Sequence, residues 1–272
     1  MNGGKKKTIL GLVGSPRKSG NCETFIKKIS TFLNVDHRLL LIRLPSLNIL
    51  PCNACYGCIM DKPCPQEDDM EFLLGHIMRS DAIIIASPVY YFNAHSVFKR
   101  ILDRGFLFYN VMHETYGKPC ILTNIYGIKD RIGASSHTLM TLASWLGLRI
   151  KASLSLKAAL PGEILMDKKH TGIARKVAEM LFSDKEMKKP SGCPFCGSEI
   201  VRIKNKGFIC ALCHGSFTVN EQGRFTKIKA GDIFGSPEHM MMHKRWLQGM
   251  KDTFLAKRKE ILKYTIPLKD VG

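Results

Sequence analysis

From Thr8 to about residue 158 the chain alternates between two hydrophobic rhythms. Thr8–Gly14 is a continuous apolar run, the pattern of a strand buried on both faces. Cys22, Phe25, Ile26, Ile29, Phe32 and Leu33 then recur at helical spacing. Leu39–Leu44 predicts a second strand. Met70, Leu73, Leu74 and Ile77 predict a helix, with Asp68 and Glu71 as its capping box. Ala82–Ser87 predicts a third strand, and Asn93 a cap for the helix bearing Val97, Phe98, Ile101 and Leu102. Cys120–Ile125, a helix over 134–146 and the strand Leu148–Leu156 complete the alternation. Strands and helices in turn imply a parallel sheet covered on both faces.

Past Pro161 the rhythm changes. A helix over about 170–183 leads to a linker at Lys188–Gly192, a cysteine-bearing segment at about 191–230, and a basic, Met-rich helix from Pro237 to Tyr264. The pattern divides the chain into residues 1–187 and 188–272. On the last helix, His239 and His243 read as surface residues. Met240, Leu247, Met250, Phe254 and Ile261 form an apolar stripe for packing or an oligomer contact.

Composition adds limits. The chain has 272 residues, 45% hydrophobic and 24% charged, enough for a globular core. Lys5, Lys6 and Lys7 before the first apolar run imitate a secretion signal, but the run is too short and no small-residue cleavage site follows. No apolar run nears the roughly 18 residues of a membrane span, so a cytoplasmic protein is expected. The net charge of +18 is spread along the chain and favours acidic partners, protein or nucleic acid.

Cysteines carry more information. Eight of ten fall into two groups: Cys52, Cys55, Cys58 and Cys64, then Cys193, Cys196, Cys210 and Cys213. Without a secretion signal, two such groups read as metal sites rather than disulfides.

The first strand ends in Gly14-Ser15-Pro16-Arg17-Lys18-Ser19-Gly20-Asn21 and a helix follows. A helix N-terminus offers free N–H groups and a positive dipole end to a phosphate. Ser15, Ser19 and Asn21 add side-chain donors and Arg17 a charge. Charged hydrogen bonds of about 1.5–3 kcal/mol each would hold a phosphomonoester. The spacing is neither the dinucleotide glycine fingerprint nor the P-loop.

This loop resembles that of the flavodoxin-like NADPH-dependent FMN reductases. Ser87-Pro88-Val89-Tyr90-Tyr91-Phe92-Asn93 resembles the family's second flavin loop, and Phe98–Arg104 its K-x-x-x-DR helix. Cys22 stands where the family usually has Thr or Ser, and Thr123-Asn124-Ile125-Tyr126-Gly127 where it has its third loop. The resemblance covers about residues 6–158. It implies a flavodoxin-like, doubly wound, five-stranded parallel sheet. The implied FMN site comprises Ser15, Arg17, Ser19, Gly20, Asn21, Cys22, Pro88, Val89, Tyr90, Tyr91, Phe92, Asn93 and Asn124.

Four thiolates as close as Cys52, Cys55, Cys58 and Cys64 can wrap a [4Fe–4S] cluster. Structural zinc and a thiol redox pair are the alternatives. The full motif resembles the iron–sulfur flavoproteins of the same fold, which implies one cluster and one FMN per subunit in a homodimer or homotetramer. The paired knuckles Cys193-x2-Cys196 and Cys210-x2-Cys213 supply four thiolates tetrahedrally, as in a zinc ribbon or a rubredoxin-like iron site.

The expected function is electron transfer from a one-electron donor, such as an acidic ferredoxin, through the cluster to FMN and an acceptor. The cofactors carry that chemistry, so no catalytic side chain is assigned. An NAD(P)H-dependent FMN or quinone reductase is the second reading. A basic zinc-ribbon protein binding nucleic acid is the third, and it leaves the Ser15–Asn21 loop and the first cysteine group unexplained.

Overall fold

The computed structural model describes residues 6–187, 192–205, 207–231, 234 and 236–264. The first part runs β1 (Lys7–Val13), α1 (Asn21–Ser30), β2 (His37–Arg43), α2 (Met70–Arg79), β3 (Ala82–Tyr90), β4 (Asn93–Ala94), α3 (Ser96–Asp103), α4 (Met112–Thr115), β5 (Pro119–Tyr126), α5 (Ser135–Trp145), β6 (Arg149–Lys157) and α6 (Lys168–Leu181). The parallel strands lie in the order β2-β1-β3-β5-β6, the doubly wound arrangement that the alternation implied. The two-residue β4 adds an antiparallel strand to β3, which the sequence did not reveal.

Alternate residues of the central strands feed two cores. Leu10, Leu12, Ile83, Ile85 and Leu122 pack with Leu73, Phe98 and Leu139 from α2, α3 and α5. Ile9, Val13, Ile84, Ala86 and Ile121 pack with Phe25, Ile26 and Val177 from α1 and α6. Gly14, just past β1, leaves room for Phe98, since a Cβ there would sit 2.4 Å from its ring.

Two helix caps differ from expectation. His95, not Asn93, caps α3, its Nδ1 accepting from the Val97 N–H. Asn93 is instead used in the β3–β4 turn. Asp69 stands at the N-cap of α2 without a side-chain hydrogen bond, so no capping box forms. The neighbouring Asp68 accepts from the N–H of Met70 and of Leu50, and pairs with Arg104. An ion pair across the fold has displaced a local cap.

The second part is an antiparallel sheet in the order β10 (Phe225–Lys229), β9 (Ser216–Val219), β8 (Gly207–Cys210), β7 (Val201–Lys204). Its Cys193, Cys210, Leu212 and Phe217 join the core that contains Leu139 and Met140 of α5. The expected linker residues 188–191 lie outside the described residues. Helix α7 (Pro237–Leu262) spans 26 residues, about 39 Å at 1.5 Å per residue. Its first half packs on the first part through Met240 and Lys244, and residues 251–264 are exposed. His243, expected at the surface, is half-buried: its Nδ1 lies 2.5 Å from the Tyr109 hydroxyl, between Trp145 and Trp246. Among the described residues no helix is long and apolar enough to cross a membrane.

Candidate functional site

The carboxyl ends of β1, β3, β5 and β6 enclose a cavity of about 200 Å³. Ser15, Arg17, Gly20, Asn21 and Cys22 line one side, Pro88, Val89 and Tyr90 another. Helix α1 begins at Gly20 with no side-chain cap, so the N–H groups of its first turn meet this cavity uncapped. That end suits a phosphate, which would serve as the missing cap.

Arg43, at the end of β2, holds the loop. Its Nη1 donates to the carbonyl oxygens of Arg17 at 2.7 Å and Ser15 at 3.2 Å, and its Nη2 to Glu23 Oε2 at 2.6 Å. Glu23 also accepts from the Ser19 N–H and pairs with Lys27. The Lys27 bond, with Arg43 and Ser19 adding to it, holds the Glu23 carboxyl down at about 2. Sequence reasoning missed both residues. The signal was an acid in the first turn of α1 and a base closing the adjacent strand.

Other expected residues are placed differently. The Asn21 amide donates to the Ala158 and Leu160 carbonyls and its oxygen accepts from the Ile164 N–H. It straps α1 to the segment after β6, and its side chain is not free to donate to a phosphate. The Cys22 thiol is buried and pushed up to about 12 by burial, so only its backbone faces the cavity chemistry. Asn124 is fully buried, donating to the Leu154 carbonyl and accepting from Ser135, and does not line the cavity. Ser19 lies in a left-handed conformation beside it. Gly127, Ala158, Ala159 and Pro161 form the far wall, which a small-residue segment after the last strand could have signalled.

Tyr91 and Phe92 make the two-residue turn between β3 and β4, with Tyr90 facing Asn93. Both have left-handed φ, +46° and +62°, in a turn that ordinarily takes Asn-Gly. The Ala134 N–H donates to the Phe92 carbonyl, and Thr138 donates to Asn93 Oδ1. Gly133 allows this: a Cβ there would lie 2.1 Å from the Phe92 oxygen. The strained turn leaves Tyr91 fully exposed; Tyr90 lines the cavity, and Tyr91, Phe92 and Asn93 do not.

The first cysteine group lies at the same edge, beyond β2. Cys52 and Cys55 are exposed, Cys58 and Cys64 partly buried. Ala54, Tyr56 and Asp61 all have left-handed φ, bending the loop repeatedly. Burial raises the Cys58 thiol, and Cys52 and Cys55 are near enough to raise it further. Arg104, 3% exposed, donates to Cys64 Sγ at 3.2 Å, to the Leu50 carbonyl and to Asp68. Helix α7 grips the loop from outside: Lys244 pairs with Asp61, and Gln248 donates to the Ile59 carbonyl at 2.8 Å. Among the described residues these four sulfurs are not gathered within 4.8 Å of one another as those of the second group are. Four thiolates from one short loop are the donor set of a [4Fe–4S] cluster, and hydrogen bonds to its sulfurs tune such a cluster. The buried Gln66 amide nitrogen, without an acceptor in the cavity that Cys64 and Arg104 share, is a further donor suited to sulfur. The donor set therefore fits a cluster.

The second group is already gathered. All four ligand atoms lie within 4.8 Å of one another. Cys193 and Cys213 sulfurs are 3.7 Å apart, and those of Cys196 and Cys210 3.6 Å. A tetrahedron of 2.3 Å metal–sulfur bonds has edges of about 3.8 Å. Backbone N–H groups of Leu212 and Gly215 donate to Cys210 and Cys213, the form of a metal-binding knuckle.

Three comparisons bear on this architecture. The iron-sulfur flavoprotein of Archaeoglobus fulgidus is 27% identical over 187 residues, covering 67% of this chain and 83% of that protein. One from Clostridioides difficile is 28% identical over 182 residues, covering 65% and 79%. Among solved structures, a flavone reductase superimposes with a TM-score of 0.69 at 16% identity, over 97% of this chain and 100% of its own. That likeness shows the fold, ribbon and last helix included. The model of the NADPH-dependent FMN reductases matches residues 8–158. With more than half its length so matched, the chain belongs to the NADPH-dependent FMN reductase family and is an FMN-dependent oxidoreductase.

Proposed function

We propose that the protein is an electron-transfer flavoprotein, with FMN in the cavity below Ser15–Asn21 and a [4Fe–4S] cluster on Cys52, Cys55, Cys58 and Cys64. Together these groups take electrons singly and deliver them in pairs. The observation that carries the reading is the shared edge. The cysteine loop follows β2, whose last residue, Arg43, anchors the phosphate loop, and Arg104 ties Cys64 to the helix that follows the flavin turn.

The uncapped α1 end and Arg17 bind the phosphomonoester. Pro88, Val89 and Tyr90 offer a surface for the ring, with Tyr91 exposed in the turn that follows. The half-buried cysteine loop keeps two ligands, Cys52 and Cys55, toward solvent, where an external donor can approach. A charge of +18 steers an acidic donor, such as a ferredoxin, toward it. The ribbon cysteines hold zinc or a single iron.

A second reading, NAD(P)H-driven reduction of FMN or an organic acceptor, draws support from the family's own description and from the exposed aromatic turn at Tyr90–Phe92. Flavin, iron, zinc and acid-labile sulfide analysis of protein purified without oxygen tests the assignment. One FMN and four sulfides per chain are expected. Zinc at the first cysteine group with no sulfide refutes the cluster.

A further inference from the structure

We propose that Arg104 sets the reduction potential of the cluster by holding Cys64, with Asp68 as the opposing charge. The inference rests on the reading that the first cysteine group carries a cluster.

Arg104 follows the last residue of α3 and reaches both ends of the cysteine loop. Its guanidinium donates to the Leu50 carbonyl at 3.1 Å before the loop, to Cys64 Sγ at 3.2 Å within it, and to Asp68 beyond it. The side chains of Arg104 and Asp68 are 2% and 1% exposed. A charge so buried acts through little solvent, so its field on a neighbouring group is weakly screened.

The direction of the effect follows from charge alone. Reducing an iron–sulfur cluster adds one negative charge to it. A guanidinium N–H on a ligand sulfur stabilises the more negative state and raises the potential. The Asp68 carboxylate opposes it. Asp68 also accepts from the Leu50 and Met70 N–H groups, which fix it in place. Arg104 and Asp68 are thus a pair of adjustments with opposite sign on one ligand. A staple that merely holds the loop would not behave so, because loosening it from either partner would have one common effect.

The test is a redox titration of the full-length protein, loaded with iron and sulfide without oxygen and followed by electron paramagnetic resonance. Arg104→Gln should weaken cluster reduction at least tenfold, a shift of about 59 mV to more negative potential for a one-electron couple. Arg104→Lys should keep most of the wild-type potential, and Asp68→Asn should shift it positive. Flavin content should stay the same in all three. If Arg104→Gln fails to load, the positive shift of Asp68→Asn with retention in Arg104→Lys still upholds the inference. Shifts of the same sign in Arg104→Gln and Asp68→Asn, or no shift at full sulfide content, overturn it. Absence of sulfide from the wild type overturns the cluster reading itself, and this inference with it.

Discussion

The guanidinium of Arg43 sits 2.6 Å from Glu23 Oε2 while its other nitrogen holds two carbonyl oxygens of the phosphate loop. One side chain from the second strand therefore shapes the loop after the first. Arg43→Met should lower flavin affinity roughly 10- to 100-fold, the equivalent of about 1.5–3 kcal/mol for charged hydrogen bonds. Equilibrium dialysis of the apoprotein against FMN measures it.

The same pair makes stability depend on acid. Glu23 is held at about 2, well below the ordinary carboxylate. Its lowered value means that the stabilisation is present at neutral pH and is lost as pH falls from about 4.5 toward 2. On the order of 3 kcal/mol is at stake, from about 1.4 kcal/mol per pH unit. Glu23→Gln should unfold more easily than wild type at pH 7, and the gap should close near pH 2. Urea unfolding at several pH values reads both.

Tyr91 and Phe92 predict an exchange between stability and binding. A non-glycine residue in the left-handed region costs about 1 kcal/mol, which glycine relieves. Tyr91→Gly should raise the melting temperature of the apoprotein by about 2–4 °C for a domain of this size. The same change should lower flavin retention by removing the exposed ring.

The grip of α7 on the cysteine loop should be measurable without touching the cysteines. Lys244→Met with Gln248→Ala frees Asp61 and the Ile59 carbonyl. The variant should lose acid-labile sulfide faster in air than wild type and keep its flavin. Equal rates of loss would mean that the helix merely rests on the loop.

Much of this was legible in the chain. The strand–helix alternation works because β1, β3 and β5 are buried on both faces and are rich in apolar residues. The cysteine spacings stood out because metal ligands must come from short turns. Residues acting across the fold were not legible. Asp68 looked like a helix cap but bonds Arg104, 36 positions away. Asn21 looked like a phosphate donor but straps the segment near Leu160. Asn93 looked like a cap but stabilises a strained turn that no Asn-Gly pair announced. The apolar stripe of α7 was legible but not its destination: Leu247, Met250 and Phe254 share a cavity with the cysteine loop, which Lys244 and Gln248 then hold by polar contacts.

The entry of electrons one at a time through the cysteine loop is tested most directly by stopped-flow bleaching of the flavin. Reduced ferredoxin and NADPH are compared as donors for the wild type and for Cys58→Ala, at low and moderate salt. Reduction by ferredoxin should be the faster, should slow as salt shortens the reach of the +18 charge to a Debye length of about 10 Å at 0.1 M, and should vanish in Cys58→Ala while FMN stays bound. Faster reduction by NADPH, unchanged in Cys58→Ala, would contradict it and make the chain a hydride-driven flavin reductase.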